Sequence, residues 1–224
     1  MTEPAVSIIV PAYRAGRFLP ELGERLSSLS FRDFEVIVVD DGSGDDTADA
    51  ARRLAETHSN VRALVLPDNV GVARARQHAT GHARGTYVWY VDVDDAWPTT
   101  ALDTLTTVAG HTDADIIVAG AMFVYSSGER RPLPSPGCSP VDGTTAFQML
   151  LRGEITGHLW NKLIRRSVAL QMSFTPARVQ SDLIMVADAL CAAERVAFTQ
   201  TVVYDYRLRD GSIITSTSRR AESL

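Results

Sequence analysis

The first ninety residues alternate short apolar runs with stretches of helical period, and that rhythm limits the fold more than anything else in the chain. Val6 to Val10 (V-S-I-I-V) is an apolar strand closed by Pro11, after which Leu19, Leu22, Leu26 and Leu29 recur at helical spacing. Phe34 to Asp40 (F-E-V-I-V-V-D) repeats the strand. Asp41-Gly42-Ser43-Gly44 punctuates it, and Ala48, Ala51, Leu54 and Ala55 mark a second helix. Val61 to Leu66 is a third strand, Pro67 to Gly71 a loop, and a third helix turns Val72, Ala75, Ala79 and Ala83 inward. Gly85 then leads into the run Tyr87 to Asp95. Strands apolar on both faces are covered on both sides, so the pattern predicts an α/β fold: a mostly parallel central sheet flanked by helices and joined by right-handed crossovers.

Beyond residue 110 the rhythm weakens. A fourth helix over Thr99 to Ala109 and an apolar strand or strand pair over Ile116 to Tyr125 lead into Arg130 to Pro140, where Pro132, Pro134, Pro136 and Pro140 predict an irregular loop. Thr144 to Leu151 reads as a short helix, and Leu159 to Arg165 as a strand or turn lying over the sheet. Ser181 is the N-cap of a last helix whose apolar stripe is Leu183, Val186, Ala187, Leu190 and Cys191. Over Val202 to Arg209, Asp205, Arg207 and Arg209 share one face while Val202, Tyr204, Tyr206 and Leu208 share the other. At 224 residues and 45% hydrophobic, the chain has enough core for one domain. Its expected organisation is a regular half over 1–110, a more irregular half over 111–210 and a mobile tail over 211–224.

The run Y-V-W-Y-V-D-V-D-D carries the sheet interior directly into three carboxylates. In an extended backbone Asp92 and Asp94 point the same way and can bracket one hard divalent cation. Taken alone, a D-x-D is most simply an acidic turn that ends a strand and caps the next helix. Its company changes the balance. Pro11-Ala12-Tyr13, Asp40 to Ser43 and Asn69 to Arg76 each follow an expected strand, and in an open α/β sheet such loops converge on one crevice. Singly, Asp40 is a turn residue and Arg76 a solvated helix face. The segment P-A-Y-R-A-G after the first strand is not G-x-G-x-x-G, and no G-x-x-x-x-G-K-[ST] occurs, which excludes a Rossmann dinucleotide site and a P-loop. A net charge of -5 and a pI of about 5.5 argue against nucleic acid as a partner. Cys138 and Cys191 lack metal-ligand spacing and are expected to be reduced thiols. No eighteen consecutive residues are apolar, so no transmembrane segment and a cytoplasmic location are expected. What remains is a metal-dependent nucleoside-diphosphate site built from carboxylates.

Five motifs stand together: V-S-I-I-V-P-A-Y from Val6, E-V-I-V-V-D-D-G-S from Glu35, N-V-G-V-A-R-A-R from Asn69, G-T-Y-V-W-Y-V-D-V-D-D from Gly85 and L-W-N-K-L-I-R-R from Leu159. Together they resemble the family 2 glycosyltransferases of the GT-A fold, which are nucleotide-sugar-dependent enzymes. The resemblance implies that Tyr13 and Asp40 hold the nucleotide base, Asp40 accepting from a uracil-type imide N–H, with Pro11, Asp41 and Val93 in the same nucleotide site. It places Asp92 by the ribose and the metal, and has Asp94 bind the Mn²⁺ or Mg²⁺ that bridges the diphosphate. Arg76 matches the Arg of the family's A-R-N segment, with Gln77 in place of the Asn and Ala79 in place of a customary Gly.

The family's late Glu-Asp pair survives here only as the Asp of Gln180-Ser181-Asp182. Spacing reads Asp182 equally as a helix-terminal Asp favoured by the macrodipole; the resemblance makes it the base that deprotonates the acceptor. No histidine follows His158, so a late metal-binding histidine known in some relatives is missing. Arg207 and Arg209, ahead of Gly211-Ser212, resemble the family's Y-R-x-R-x-x-S ending and would close over the diphosphate. A solvated strand face accounts for them as simply. Trp160 and Asn161 are the candidate acceptor contacts. The implied function is inverting transfer from a nucleoside diphosphate sugar, UDP being expected, to a hydroxyl of a small-molecule, natural-product or lipid-linked acceptor; homo-oligomerisation is compatible with it. A nucleotidyltransferase on a related sheet and an inactive nucleotide-sugar-binding module are the alternatives.

Overall fold

In the computed structural model, which describes residues 3–175 and 181–208, the expected strands form one sheet of eight. β1 (Val6–Ala12), β2 (Phe34–Asp40), β3 (Val61–Val65) and β4 (Tyr87–Tyr90) run parallel in the order β3-β2-β1-β4. All residues of β1, β2 and β4 are buried. Successive side chains enter opposite layers, so Ile8, Val10, Val36, Val38 and Trp89 pack in one core while Ile9, Ile37, Val39, Val88 and Tyr90 pack in the other. The first core is closed by α1 (Leu19–Ser28), α2 (Thr47–Thr57) and α4 (Ala101–Thr112), through Leu22, Leu26, Leu54, Leu102 and Leu105. The second is closed by α3 (Val72–His82), α5 (Gly143–Leu151), α6 (Arg166–Ala169) and α7 (Ser181–Ala192), through Ala75, Ala79, Met149, Val168, Met185 and Leu190.

This layering fixes where the loops meet. The chain steps outward from β1 to β2 to β3 with its helices under one face, then returns across the other face through α3 to enter β4 beside β1. The direction of winding reverses between β1 and β4, and the carboxyl ends of strands flanking such a switch point open into a crevice.

The second half departs from expectation in several places. β7 (Lys162–Arg165) does not lie over the sheet; it is inserted antiparallel between β4 and β5 (Ile116–Tyr125). Leu163 faces one core and Ile164 the other, both fully buried, but four residues are too few to show a period. Part of the stretch expected to be irregular forms β6 (Arg130–Leu133), antiparallel to β5 and closing a hairpin through Gly128 at φ +85°. Pro132 is tolerated there because β6 is a sheet edge. β8 (Val196–Leu208) is longer than expected and runs parallel to β5, with register shifts at Gly120. On α7 the buried residues are Ser181, Met185, Val186, Ala189 and Leu190; Leu183 and Cys191 lie outside. Val72, expected inward on α3, is 44% exposed. Both cysteines are free and exposed, and among the described residues no helix is long and apolar enough to cross a membrane. Arg209 and the expected mobile tail lie outside the described residues.

At the amino end of the sheet a buried carboxylate ties the layers together. Glu35 accepts from the Ser7 hydroxyl (2.7 Å), the Arg84 backbone N–H (2.7 Å), the Arg84 guanidinium (2.9 and 3.0 Å) and Arg62 (2.9 Å). Next to it the chain must pass so close to β1 that a Cβ on Gly85 would sit 2.5 Å from the Ser7 nitrogen. Burial works against ionisation of Glu35, but these donors outweigh it and hold its pKa below the ordinary value. The contribution is therefore present above the ordinary carboxylate range and fades as pH falls through it. Glu35→Ala should lower the unfolding free energy by about 1–3 kcal/mol at pH 7, and the deficit should shrink in urea melts at pH 3. An equal deficit at both values would show that packing, not charge, is what Glu35 supplies.

Candidate functional site

The crevice between β1 and β4 is built from loops that hold one another. After β1, Tyr13 is 47% exposed, and Arg14 takes a left-handed conformation at φ +50° with its N–H donating to the Ser43 hydroxyl (2.9 Å). That hydroxyl donates in turn to Asp40, which is 2% exposed at the end of β2. Pro11 is buried within β1. Asp41 accepts from the N–H groups of Val70 (2.8 Å) and Gly71 (2.9 Å), so both its oxygens are engaged with the loop that opens α3. Gly42, at φ +61°, lets that loop lie where any Cβ would meet the Asp68 and Asn69 backbone. Asp41 thus anchors the loop that opens α3. By fixing the start of α3, it sets the position of Arg76 one turn further on.

Arg76 is the centre of the site. It is 3% exposed, and its guanidinium donates to Asp182 Oδ1 (2.6 Å) and to Asp92 Oδ1 (2.9 Å). The expected D-x-D residue after β4, the acidic residue in the first turn of α7 and the α3 arginine are thus joined in one ion-paired cluster. Burial disfavours the charge on Arg76, yet the two carboxylates reverse that and raise its pKa. Asp92 moves the other way. Burial pushes its pKa up, the charges of Asp182 and Asp94 add to this, and Arg76 offsets only part. Among the described residues, Arg76 Nε is buried with no hydrogen-bond partner.

The acidic turn itself differs from the extended geometry expected of it. β4 ends at Tyr90, and the Asp95 N–H returns to the Asp92 carbonyl (3.2 Å), so residues 92–95 fold into a turn. Val93 is buried inside it. Tyr204 on β8 clamps the turn from below: its hydroxyl accepts from the Asp92 N–H (2.9 Å) and donates to Asp95 Oδ2 (2.9 Å). The other Asp95 oxygen accepts from the Arg207 N–H (2.7 Å). Asp95 is 1% exposed, and burial, followed by the charge on Asp92, pushes its pKa up to about 8. The third carboxylate of the motif therefore ties β8 to the acidic turn and faces away from solvent.

Of the remaining expected residues, Arg207 donates to Glu21 on α1 (2.9 Å) and is about one-third exposed. Trp160 and Asn161 are each 2% exposed. The Asn161 amide donates to the Ala119 carbonyl (2.9 Å) and its oxygen accepts from Lys162 (2.9 Å), a structural arrangement in place of the open acceptor contact expected. Three groups escaped the sequence reading. Tyr206 brings its hydroxyl within the field of Asp92, Asp94, Asp95 and Asp182, and burial with these charges pushes its pKa up. His158 is pushed down to about 4 by burial and the neighbouring Lys162. Lys162, 1% exposed, donates to the Thr156 and His158 carbonyls and to Asn161, and burial pushes it down to about 7. The shared face of Tyr204 and Tyr206 on β8 was a usable signal; nothing in sequence linked His158 to it.

The donor set suits a divalent cation. Hard carboxylate oxygens crowd one turn, and a single buried guanidinium answers them. Among the described residues no three His, Cys, Asp or Glu side chains lie together as a complete metal cage. A surface groove of about 570 Å³ between α1 and α2, lined by Leu19, Gly23, Leu54 and His58, shares no residue with this cluster.

The sequence model of glycosyl transferase family 2 matches residues 7–172. The chain belongs to glycosyl transferase family 2. It is 28% identical over 227 residues to the cholesterol galactosyltransferase of Borreliella burgdorferi, covering 95% of this chain and 63% of that one. It is 24% identical to the glycosyltransferase GlyG of Streptococcus pneumoniae, covering 93% and 72%. The fold matches S. aureus TarS 1-349 in complex with UDP-GlcNAc at a TM-score of 0.80 and 23% identity, over 95% of this chain and 61% of that one. It also matches the mannosyltransferase PcManGT from Pyrobaculum calidifontis, in complex with GDP-Man and Mn²⁺, at 0.70 and 22%, over 99% and 62%. These structural likenesses establish the GT-A fold, and the chain spans under two thirds of the length of most of these family members.

The raised pKa of Asp95 has a measurable consequence in this family 2 fold. Between the ordinary carboxylate value and about 8, the folded chain keeps a proton on Asp95 that the unfolded chain has lost, so this group subtracts stability as pH rises across that window. Asp95→Asn removes the effect. In melts with EDTA, the variant should gain on the parent from pH 5 to pH 8 by up to about 1 kcal/mol per unit. Parallel curves would show that Asp95 is ionised in the folded chain throughout.

Proposed function

We propose that this chain transfers a sugar from a nucleoside diphosphate sugar, with UDP as the expected nucleotide, to a hydroxyl acceptor by a single inverting displacement that depends on Mn²⁺ or Mg²⁺. The observation that carries this reading is the Asp92–Arg76–Asp182 bridge at the switch-point crevice. It joins Asp92, read here as a metal ligand, and Asp182, read here as the base, to the two terminal nitrogens of one guanidinium. The nucleotide sugars in complex with the two structural neighbours, UDP-GlcNAc and GDP-Man, support the donor class.

In this reading Tyr13 lies over the nucleotide base, and Asp40 accepts from its imide N–H. Asp92 and Asp94 would hold the cation, which would supply Lewis-acid stabilisation of the diphosphate. Asp182 takes the acceptor proton as the acceptor oxygen bonds to the anomeric carbon and the bond to the diphosphate oxygen breaks. Attack opposite the leaving group inverts the configuration. Arg76 orients Asp182 and Asp92 relative to one another, and Arg207 exchanges Glu21 for the departing diphosphate.

The direct test is release of UDP from UDP-sugars with Mn²⁺ and with EDTA. Release should require the metal, and Asp94→Ala should abolish the Mn²⁺-dependent part of UDP affinity in calorimetry, because clustered carboxylates repel a diphosphate. Equal affinity with EDTA and Mn²⁺ would remove the metal from the mechanism.

Asp182 is separable from binding. A group that acts only on the acceptor proton contributes in the transition state, so Asp182→Asn should lower kcat at least about a hundredfold with UDP affinity nearly unchanged. A purely structural Asp182, acting only as a partner of the buried Arg76, predicts a clear loss of stability with turnover within about threefold of the parent.

A further inference from the structure

On the Asp182 side of the crevice the aromatic side chains form an ordered stack. The buried indole of Trp160 lies parallel to Tyr204 (centroids 4.9 Å, 13°), to His158 (4.6 Å, 15°) and to Tyr206 (5.3 Å, 16°). The His158 and Tyr206 centroids are only 6.4 Å apart and inclined by 21°. That is far less than their combined distances from the indole, so the two rings sit side by side on one side of Trp160. Phe123 stands edge-on to all three, at 76° to His158, 89° to Trp160 and 86° to Tyr206. His158, Tyr206 and Phe123 are each partly exposed, while Trp160 beneath them is not. The result is a nearly coplanar two-ring floor bounded by a perpendicular wall.

The floor has two ends of different character. Tyr206 lies within the field of Asp92, Asp94, Asp95 and Asp182, whereas His158 interacts with Asp182 and Lys162. Tyr204, against which Trp160 stacks, bonds Asp92 and Asp95, and Asp92 is joined to Asp182 through Arg76, so the floor lies beside the acidic cluster. At neutral pH the His158 ring is uncharged, so it offers an aromatic face and not a cation.

We propose that the His158–Tyr206 floor, with Phe123 as its wall, is the acceptor subsite, and that the acceptor is a saccharide whose pyranose ring lies flat on it. This rests on the transferase reading given above, which supplies the identity of the group that meets Asp182. A pyranose presents an apolar C–H face and a rim of hydroxyls. The floor is apolar, and carboxylates stand at its edge. Sites of this kind, apolar in area with a few converging polar groups, hold small polar-rimmed ligands in one orientation. An acyclic polyol has no flat face to lay down, and an alkyl alcohol has no hydroxyl rim to meet the carboxylates. Trp160, the acceptor contact expected from sequence, acts one layer below as the support that keeps the two exposed rings coplanar.

Saturation-transfer NMR in the presence of UDP and Mn²⁺ tests this without turnover. The probes are methyl β-glucopyranoside, methyl β-galactopyranoside and methyl 2-acetamido-2-deoxy-β-glucopyranoside, beside sorbitol and decanol. At least one pyranoside should bind through its C–H face while sorbitol and decanol do not. His158→Ala should weaken it at least about tenfold, and His158→Phe, which keeps a flat ring, should restore binding to within about threefold. UDP affinity should stay with the parent in both. If alanine at this position disturbs folding, Phe123→Leu repeats the comparison with apolar bulk kept and the flat wall removed. The proposal is overturned if no pyranoside binds, if His158→Ala binds as the parent does, or if decanol binds in competition with the pyranoside. Failure to turn over any nucleotide sugar counts against the transferase reading alone, since the binding result is independent of it.

Discussion

A buried guanidinium with two carboxylates against it holds the crevice in shape. An isolated charge in the interior is costly enough that Arg76 can stay there only because Asp92 and Asp182 lie within 2.9 and 2.6 Å. The dependence runs both ways, since burial and the neighbouring Asp94 and Asp182 already push Asp92 toward its neutral form. Asp92 follows β4 and Asp182 opens α7, separated from Arg76 by 16 and 106 residues. The regular first half and the irregular second half of the chain are therefore joined at the site by electrostatics. Removing the guanidinium would leave two carboxylates facing each other.

Arg76 can serve as that joint only if its helix starts in the right place, and the structure spends its buried polar groups on this. Asp41 grips two N–H groups at the head of α3, and Gly42 allows the close passage that brings them within reach. On the other flank the Tyr204 hydroxyl and Asp95 tie the acidic turn to β8. None of these groups touches a ligand in the proposed reaction. They act by fixing those that do, which is how a site keeps its dipoles and charges aligned before substrate arrives.

The same distinction explains what sequence could and could not show. The β1-to-β4 half was legible because its strands are apolar on both faces and its helices keep their period, signals internal to each element. Asp92 and Asp94 stood out because they follow a recognisable strand, and Arg76 and Asp182 only through the motifs shared with the family. β7 was not, since four residues inserted between β4 and β5 carry no period of their own. The anchoring task of Asp41, the clamp by Tyr204 and the alignment of His158 with Tyr206 depend on partners tens to more than a hundred residues away. In the acidic turn the motif itself misled. The extended backbone expected for Asp92 and Asp94 is a turn, and Asp95, to which the sequence assigned no task, points inward because Tyr204 and the Arg207 N–H are there to receive it.

The balance of charge around the crevice sets the last constraint on how the site can work. Asp92, Asp94 and Asp182 crowd its wall, while the nearby cations are already committed: Arg76 to two of these carboxylates, Lys162 to carbonyls and Asn161, Arg207 to Glu21. A diphosphate entering here meets like charge, at about 1 kcal/mol per unit pair at 4 Å in water and about four times that where water is partly excluded. The commitments differ in strength. Arg76 is sealed and cannot leave without stranding two acids. The pair of Arg207 and Glu21 is about one-third to one-half exposed, and such pairs are worth no more than about 1 kcal/mol. A diphosphate oxygen offers Arg207 a stronger partner than Glu21 does. The weak outer pair is therefore the one able to change partners during a reaction cycle, and the sealed inner pair is the one that keeps the base and the acidic turn in register while it does so.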